Sequence, residues 1–451
     1  MPRPADVTAH GLDVVAGRLV RDIAHAAVAT SGSPGYDWWK VLFALYPNSP
    51  ATHTKRSGVP GKLASSIERL FQADPPGVAL SPCVFCGQPA GTLWGKDRLP
   101  MFDSLKAVNR LPPRLAGWPT CRACRIAMWA LPYGAWVTAG SAAVVTCADD
   151  AVERRFTQRN VRRAHQVQDM GFSSLPGNAS PETLTLAALR DHSAGAAVGS
   201  TLWIFKNDNQ DAWLRVTATR AGIPAFLSGL LADPDCRAGW GALVEVLTER
   251  DKDGQLRASG VSAAARTLFD PADRLPGGVS RDGLERELLR RAEDPSCVTG
   301  RTLTAWRALC RLYLEVVHGM DTGQVKSARE LIVDWIMAEQ NPRGRFNRYV
   351  RAATRPFELQ RLFIEASARL LLDGGNPPDI TGAAISLLAP DTVGWRLRGL
   401  LFFDVVADLV GRDASVGRKP AIGEPEVTDE DLSRAVTDPP ASDEETEEHS
   451  G

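Results

Sequence analysis

Two tight cysteine pairs constrain this chain more than any other feature: Cys83-Val84-Phe85-Cys86-Gly87 and, after 34 intervening residues, Cys121-Arg122-Ala123-Cys124. Each C-x-x-C places two sulfurs on one short turn, within reach of the same ion. Two such turns complete a tetrahedron of thiolates, the ligand set of a structural Zn²⁺ with no open position for chemistry. Gly87 suits the knuckle after the first pair, where the backbone turns sharply without a Cβ. A disulfide pair and four ordinary buried thiols are the alternatives. A redox reading fits a lone C-x-x-C better than two in one short stretch. The expectation is one structural Zn²⁺ shared by Cys83, Cys86, Cys121 and Cys124.

Eight cysteines in 451 residues are too few for a secreted disulfide scaffold. The other four, Cys147, Cys236, Cys297 and Cys310, stand singly and read as small core residues. The N-terminus runs from Met1-Pro2-Arg3-Pro4 into an amphipathic stretch instead of the apolar h-region of a signal peptide. No run of about 18 apolar residues occurs; the nearest, Leu400 to Val410, is interrupted by Asp404 and Asp408. These features predict a soluble cytoplasmic protein with no membrane partner. A hydrophobic content of 44% is enough to fill more than one core.

The net charge of −1 conceals an asymmetry. Residues 424–451 hold eleven acids and one base, Arg434, with three prolines and few large apolar side chains. Such a composition cannot offset the entropy of ordering, so a disordered acidic tail is expected, either solubilising or competing with nucleic acid for a basic surface. The remainder carries 51 bases against 42 acids. Arg155, Arg159 and Arg162 fall at i, i+4 and i+7, one face of a helix, flanked by Arg154 and Arg163. A second cluster, Arg343 to Arg351 with Arg345 and Arg348 inside it, interleaves aromatics with guanidinium groups, a composition suited to phosphate contact and stacking. Lys96, Arg98, Lys106, Arg110 and Arg114, against only Asp97 and Asp103, make the stretch between the cysteine pairs basic as well, with the neutral Asn109 among them. Solvated helix faces with intrahelical pairing are the alternative for each cluster.

Periodicity predicts a helix over residues 10–29 with Leu12, Val15, Leu19 and Ile23 inward. Tyr36 to Phe43 reads as buried, and Pro47 to Gly61, carrying Lys55 and Arg56, as an exposed loop. Thr201–Lys206 and Trp213–Thr217 read as paired strands around a turn at Asn207–Gln210. From about residue 300 the pattern is helical, with stripes such as Trp306, Cys310 and Tyr313, or Leu397, Leu401 and Val405. The fold class expected is α+β: a mixed N-terminal region with a four-cysteine zinc module, then a helical C-terminal bundle and the acidic tail. The divisions fall at 1–80, 81–134 (the module), 135–299, 300–423 and 424–451.

Catalytic patterns are missing. An HNH nuclease can be built around two C-x-x-C pairs but needs a histidine between them, and none lies between residues 54 and 164. The seven histidines are dispersed, and neither H-E-x-x-H, a phosphate loop nor G-x-S-x-G occurs. The Gly277-Gly278 pair reads as a turn.

The first pair, the basic linker with Asn109, and the second pair leading into Ala130-Leu131-Pro132-Tyr133-Gly134 together resemble a CRISPR-associated family. That family is the large subunit of the type I-B Cascade surveillance complex, in its short, zinc-finger-containing form. The close likeness spans about 55 residues. The resemblance implies a non-catalytic subunit that binds the 5′ end of the guide RNA and target double-stranded DNA beside other Cascade subunits. It would sense a short motif next to the target and help recruit a helicase-nuclease in antiviral defence, while guide pairing supplies sequence specificity. Charge and position alone nominate Lys55, Arg56, Lys96, Arg98, Asn109, Arg110, Arg155, Arg159, Arg162, Arg345, Arg348 and Arg351 as nucleic-acid contacts. A diverged HNH-type nuclease and a zinc-ribbon scaffold for protein interaction are the rival readings.

Overall fold

A computed structural model of the chain describes residues 4–49, 51–53, 60–95, 98–100, 116–138, 140–173, 175, 179–191, 197–206, 213–271, 283–292, 299–340 and 342–412. Lys55, Arg56, Lys96, Asn109, Arg110, Cys297, both predicted turns (207–210 and 275–278) and the acidic segment 424–451 lie outside the described residues. The rest is mixed α/β and mostly helical, and falls into two compact units. One is drawn from residues 1–193, 198–219 and 271–273, the other from 194–197, 220–270 and 274–451. No helix among the described residues is long and apolar enough to cross a membrane.

In the first unit, α1 (Ala9–Val28) starts where the Thr8 hydroxyl accepts the Gly11 N–H. Its inward seam is Ala16, Leu19, Ile23, Ala26 and Ala27, while Val15 turns outward. Leu12 packs against the same core, so Val15 alone of the four expected residues departs from the seam, which Ala16 joins in its place. Helix α2 (Pro34–Leu45) has proline in its first turn behind a Ser33 cap, and buries Trp38, Trp39, Val41 and Leu42. The loop after it differs from the expectation: Ser49, Ala51 and Thr52 are buried. The Thr52 hydroxyl donates to the Tyr46 carbonyl, and the Trp39 indole N–H donates to the Thr52 carbonyl at 3.1 Å, so backbone polarity is satisfied indoors.

After α3 (Pro60–Phe71) come two small hairpins, β1 (Ser81–Pro82) with β2 (Pro89–Ala90) and β3 (Leu93–Trp94) with β4 (Trp118–Pro119). Helix α4 (Arg122–Gly134) follows. The strands β5 (Trp136–Val137), β6 (Ser141–Cys147), β7 (Ser200–Lys206) and β8 (Trp213–Thr219) pair antiparallel in chain order, with Val144 opposite Trp203 and Trp203 opposite Val216. The strand pair read from the sequence is thus β7 with β8. Between β6 and β7 run α5 (Asp150–Met170) and α6 (Pro181–Arg190).

The second unit is built of helices α7 (Ile223–Ala232), α8 (Pro234–Val246), α9 (Gly260–Arg266), α10 (Leu284–Ala292), α11 (Gly300–His318), α12 (Lys326–Met337), α13 (Pro342–Ala352), α14 (Pro356–Leu372), α15 (Thr381–Leu387) and α16 (Thr392–Gly411). The α8–α11 contact depends on Gly239, where a Cβ would lie 2.5 Å from the Ala305 carbonyl oxygen. The freed space lets the Trp306 indole N–H donate to the Gly239 carbonyl at 3.1 Å. Helix α16 is buried on nearly every side, from Leu397 through Phe403 to Leu409. Asp404, the acid that interrupts its apolar run, is buried and bonds Arg311 through both oxygens at 3.0 and 2.9 Å. Burial pushes its carboxyl pKa up, against the pull of Arg311, Arg307 and Arg329.

Candidate metal centre

The four sulfurs of Cys83, Cys86, Cys121 and Cys124 lie within 4.8 Å of one another, and those of Cys86 and Cys121 are 3.5 Å apart. A tetrahedron with metal–sulfur bonds of about 2.3 Å has edges of about 3.8 Å, so small side-chain rotations bring all four onto one ion. The seven described cysteines are free thiols. The site can therefore hold one metal ion.

Local structure explains how each pair reaches the site. The first sits on the turn between β1 and β2, where the Cys83 N–H donates to the Gln88 carbonyl at 2.8 Å and the Gly87 N–H to the Cys83 carbonyl at 2.9 Å. Gly87 has φ of 74°, a left-handed conformation that a side chain would strain. In the second pair, Cys121 is the N-cap of α4 and Cys124 lies in its first turn. The helix dipole there favours negative charge, which suits thiolates. The Val84 N–H donates to the Pro119 carbonyl at 3.0 Å, tying the two knuckles together.

Burial opposes the Cys83 thiolate, yet hydrogen bonds from the Cys121, Phe85 and Cys86 N–H groups outweigh it and bring its pKa down to about 7. Burial, followed by the neighbouring sulfurs of Cys86, Cys121 and Cys83, pushes Cys124 strongly up, and burial raises Cys121. Crowded thiols that resist shared ionisation are what a divalent cation relieves.

The sequence reading missed the groups that fix this module to the unit. Arg122 donates through Nε to the Phe71 carbonyl at 2.7 Å and through Nη2 to Asp13 at 2.6 Å. Arg125, fully buried, donates to the carbonyls of Leu70 and Gln72 at 3.0 and 2.9 Å and to Asp74 at 2.7 Å. Two guanidinium groups from the ligand helix thus satisfy the open carbonyls at the end of α3. Asp74 also accepts the Gly91 N–H at 2.7 Å and the Thr92 hydroxyl at 2.6 Å, joining α3, the hairpins and α4. Asp74→Ala is expected to destabilise the first unit by about 3–5 kcal/mol, because it leaves the Arg125 charge buried without its carboxylate. Chemical denaturation of the metal-loaded protein measures this, and a change under 1 kcal/mol would contradict the assigned role.

The Leu131-Pro132-Tyr133-Gly134 exit is a packing device in this fold. The Tyr133 hydroxyl donates to Asp22 and accepts from Gln168 Nε2 at 3.2 Å, and Asn160 Nδ2 donates to the Gly134 carbonyl at 3.0 Å.

The other nominated residues divide sharply. Helix α5 buries Val152, Phe156, Asn160, Ala164 and Val167, which leaves Arg155, Arg159 and Arg162 together on its exposed face. Arg155 pairs with Asp191 at 2.9 Å, whereas Arg159 and Arg162 form no ion pair with a described residue. Arg163 is drawn inward and stacks 3.8 Å over the Trp136 ring. In the second unit Arg345 bonds the Trp335 carbonyl and Glu339 at 2.9 Å, and Arg348 grips both oxygens of Glu365. Arg351 is exposed. Arg98 lends its carbonyl to the Trp129 indole N–H at 3.0 Å, locking the hairpin to the aromatic core.

No protein-family model, curated protein or solved structure matches the chain.

Proposed function

We propose that this chain is a non-catalytic nucleic-acid-binding subunit organised around a structural Zn²⁺. The convergence of four thiol sulfurs from two knuckles within 4.8 Å carries the reading. Thiolates select soft or borderline ions, and a tetrahedral ion saturated by four protein sulfurs offers no site for water or substrate. The exposed Arg159 and Arg162, a helical turn apart on α5 and unpaired with any carboxylate among the described residues, supply phosphate contacts. The resemblance of the cysteine module to the Cascade large subunit gives the particular role. That role is binding of the guide RNA 5′ end and target duplex, sensing of the adjacent motif, and recruitment of a helicase-nuclease in the cytoplasm.

One observation favours a second reading. Val84 and Phe85, at the tip of the first knuckle, are 51% and 55% exposed, an apolar tip of the sort that docks a protein. Purification of the native complex separates the two: associated small RNA supports the first, a protein partner without nucleic acid the second. Plasmid incubated with the pure protein and Mg²⁺ or Mn²⁺ is expected to stay intact. Strand scission abolished by chelation and restored by the metal would establish a nuclease instead.

A further inference from the structure

Helix α14 has two apolar faces. Leu359, Leu362, Phe363 and Ala366 are buried in the second unit. On the opposite side Phe357, Ile364 and Leu371 are 67%, 65% and 64% exposed. Side chains seven residues apart drift only about 20° around a helix, so the three form one straight ridge ~21 Å long. Leu372 widens it. Beside the ridge, a groove of about 690 Å³ lies between Ser367 and the Pro378–Ala389 segment, with exposed Ile385 among its lining.

Area and charge together indicate what covers this face. Five apolar side chains exposed by about two thirds or more present on the order of 600 Å² of apolar surface, at the upper limit for a monomer. A stable dimer draws about 800 Å² from each partner, a scale that ridge and groove together approach. Along one flank of the ridge run Glu358, Arg361, Glu365 and Arg369, alternating in sign at intervals of three, four and four residues. This pattern is self-complementary end over end. A two-fold axis near Phe363 and Ile364 sets Glu358 against Arg369 of the other copy, an Arg369 that also pairs with its own Asp373 at 3.3 Å; Glu365 stays with Arg348 of its own chain. We propose that two copies of this chain associate through this face, with their α14 helices antiparallel.

Sedimentation velocity of the full chain across a concentration series tests the pairing, and a dimer is the expected result. Ile364→Glu should raise the dissociation constant roughly 100-fold. Its thermal unfolding should be unchanged at concentrations low enough that both proteins are monomeric, since the side chain is exposed within one copy. Glu358→Arg and Arg369→Glu should each weaken association about tenfold, and the double variant should restore it, since the swapped charges again meet across the axis. A chain that stays monomeric at every concentration overturns the proposal. So does a dimer indifferent to Ile364→Glu, or a double variant no tighter than the single ones.

Discussion

Cys121→Ser is expected to yield a protein without its metal, its first unit destabilised by on the order of 5 kcal/mol or more. An ion held by the four sulfurs would join turns separated by 34 residues of sequence, and strands of only two residues on either side contribute little hold of their own. A hydroxyl at this buried N-cap cannot replace the thiolate. Because Arg122 and Arg125 extend from the same helix to α3, loosening α4 also uncovers the carbonyls at the end of α3. A chelator should reproduce the effect in the unaltered chain, whereas Cys147→Ser, away from the cluster, should shift stability by less than about 1 kcal/mol. The measurements are elemental analysis and thermal unfolding. Full stability in a metal-free preparation would defeat the expectation.

Acidity provides a related reading of the site. Burial and neighbouring sulfurs raise the Cys124 thiol, and burial raises Cys121, so protons compete with the metal at these sulfurs even near neutral pH. Binding releases those protons. Metal-linked stability is therefore present at neutral and alkaline pH and falls as pH drops.

Reversing Arg159 and Arg162 together to glutamate is expected to weaken nucleic-acid binding by about 100-fold at low salt. Each phosphate contact on a duplex contributes about 0.9 to the salt-dependence slope, so losing two should flatten it by about 2. Arg155→Glu should matter less, because that guanidinium already faces Asp191 at 2.9 Å. Arg345→Glu and Arg348→Glu should lower stability while leaving binding almost untouched, since their charges are occupied by Glu339 and Glu365. Filter binding across a salt series distinguishes these outcomes. Unchanged affinity and slope in the Arg159/Arg162 variant would exclude α5 from any interface.

These contrasts show which features were legible in the chain itself. Ligand spacing is local: two sulfurs on one turn announce themselves, and the four do converge. The strand pair β7–β8 and the helices from residue 300 onward follow from hydrophobic period and turn chemistry, which are local too, whereas helices α7 to α10 read only as part of a mixed region. Partners distant in sequence are not. Arg125 is adjacent to a cysteine ligand, but its role depends on the end of α3 some 50 residues upstream and on Asp74. Arg348 belongs to a basic window, but its carboxylate lies one helix further on. Val15 fits an apolar period, but Ala16 beside it joins the core, and only the neighbouring helices decide between the two.

The burial of α16 on all sides has a consequence for biosynthesis. Among the described elements it leaves the ribosome last, so α11 is made well before the helix that covers it. At ~5–20 residues per second the delay between them is roughly 5–20 seconds. Throughout that interval the nascent second unit lacks the helix that covers α11, and Arg307 and Arg311 await the carboxylate of Asp404.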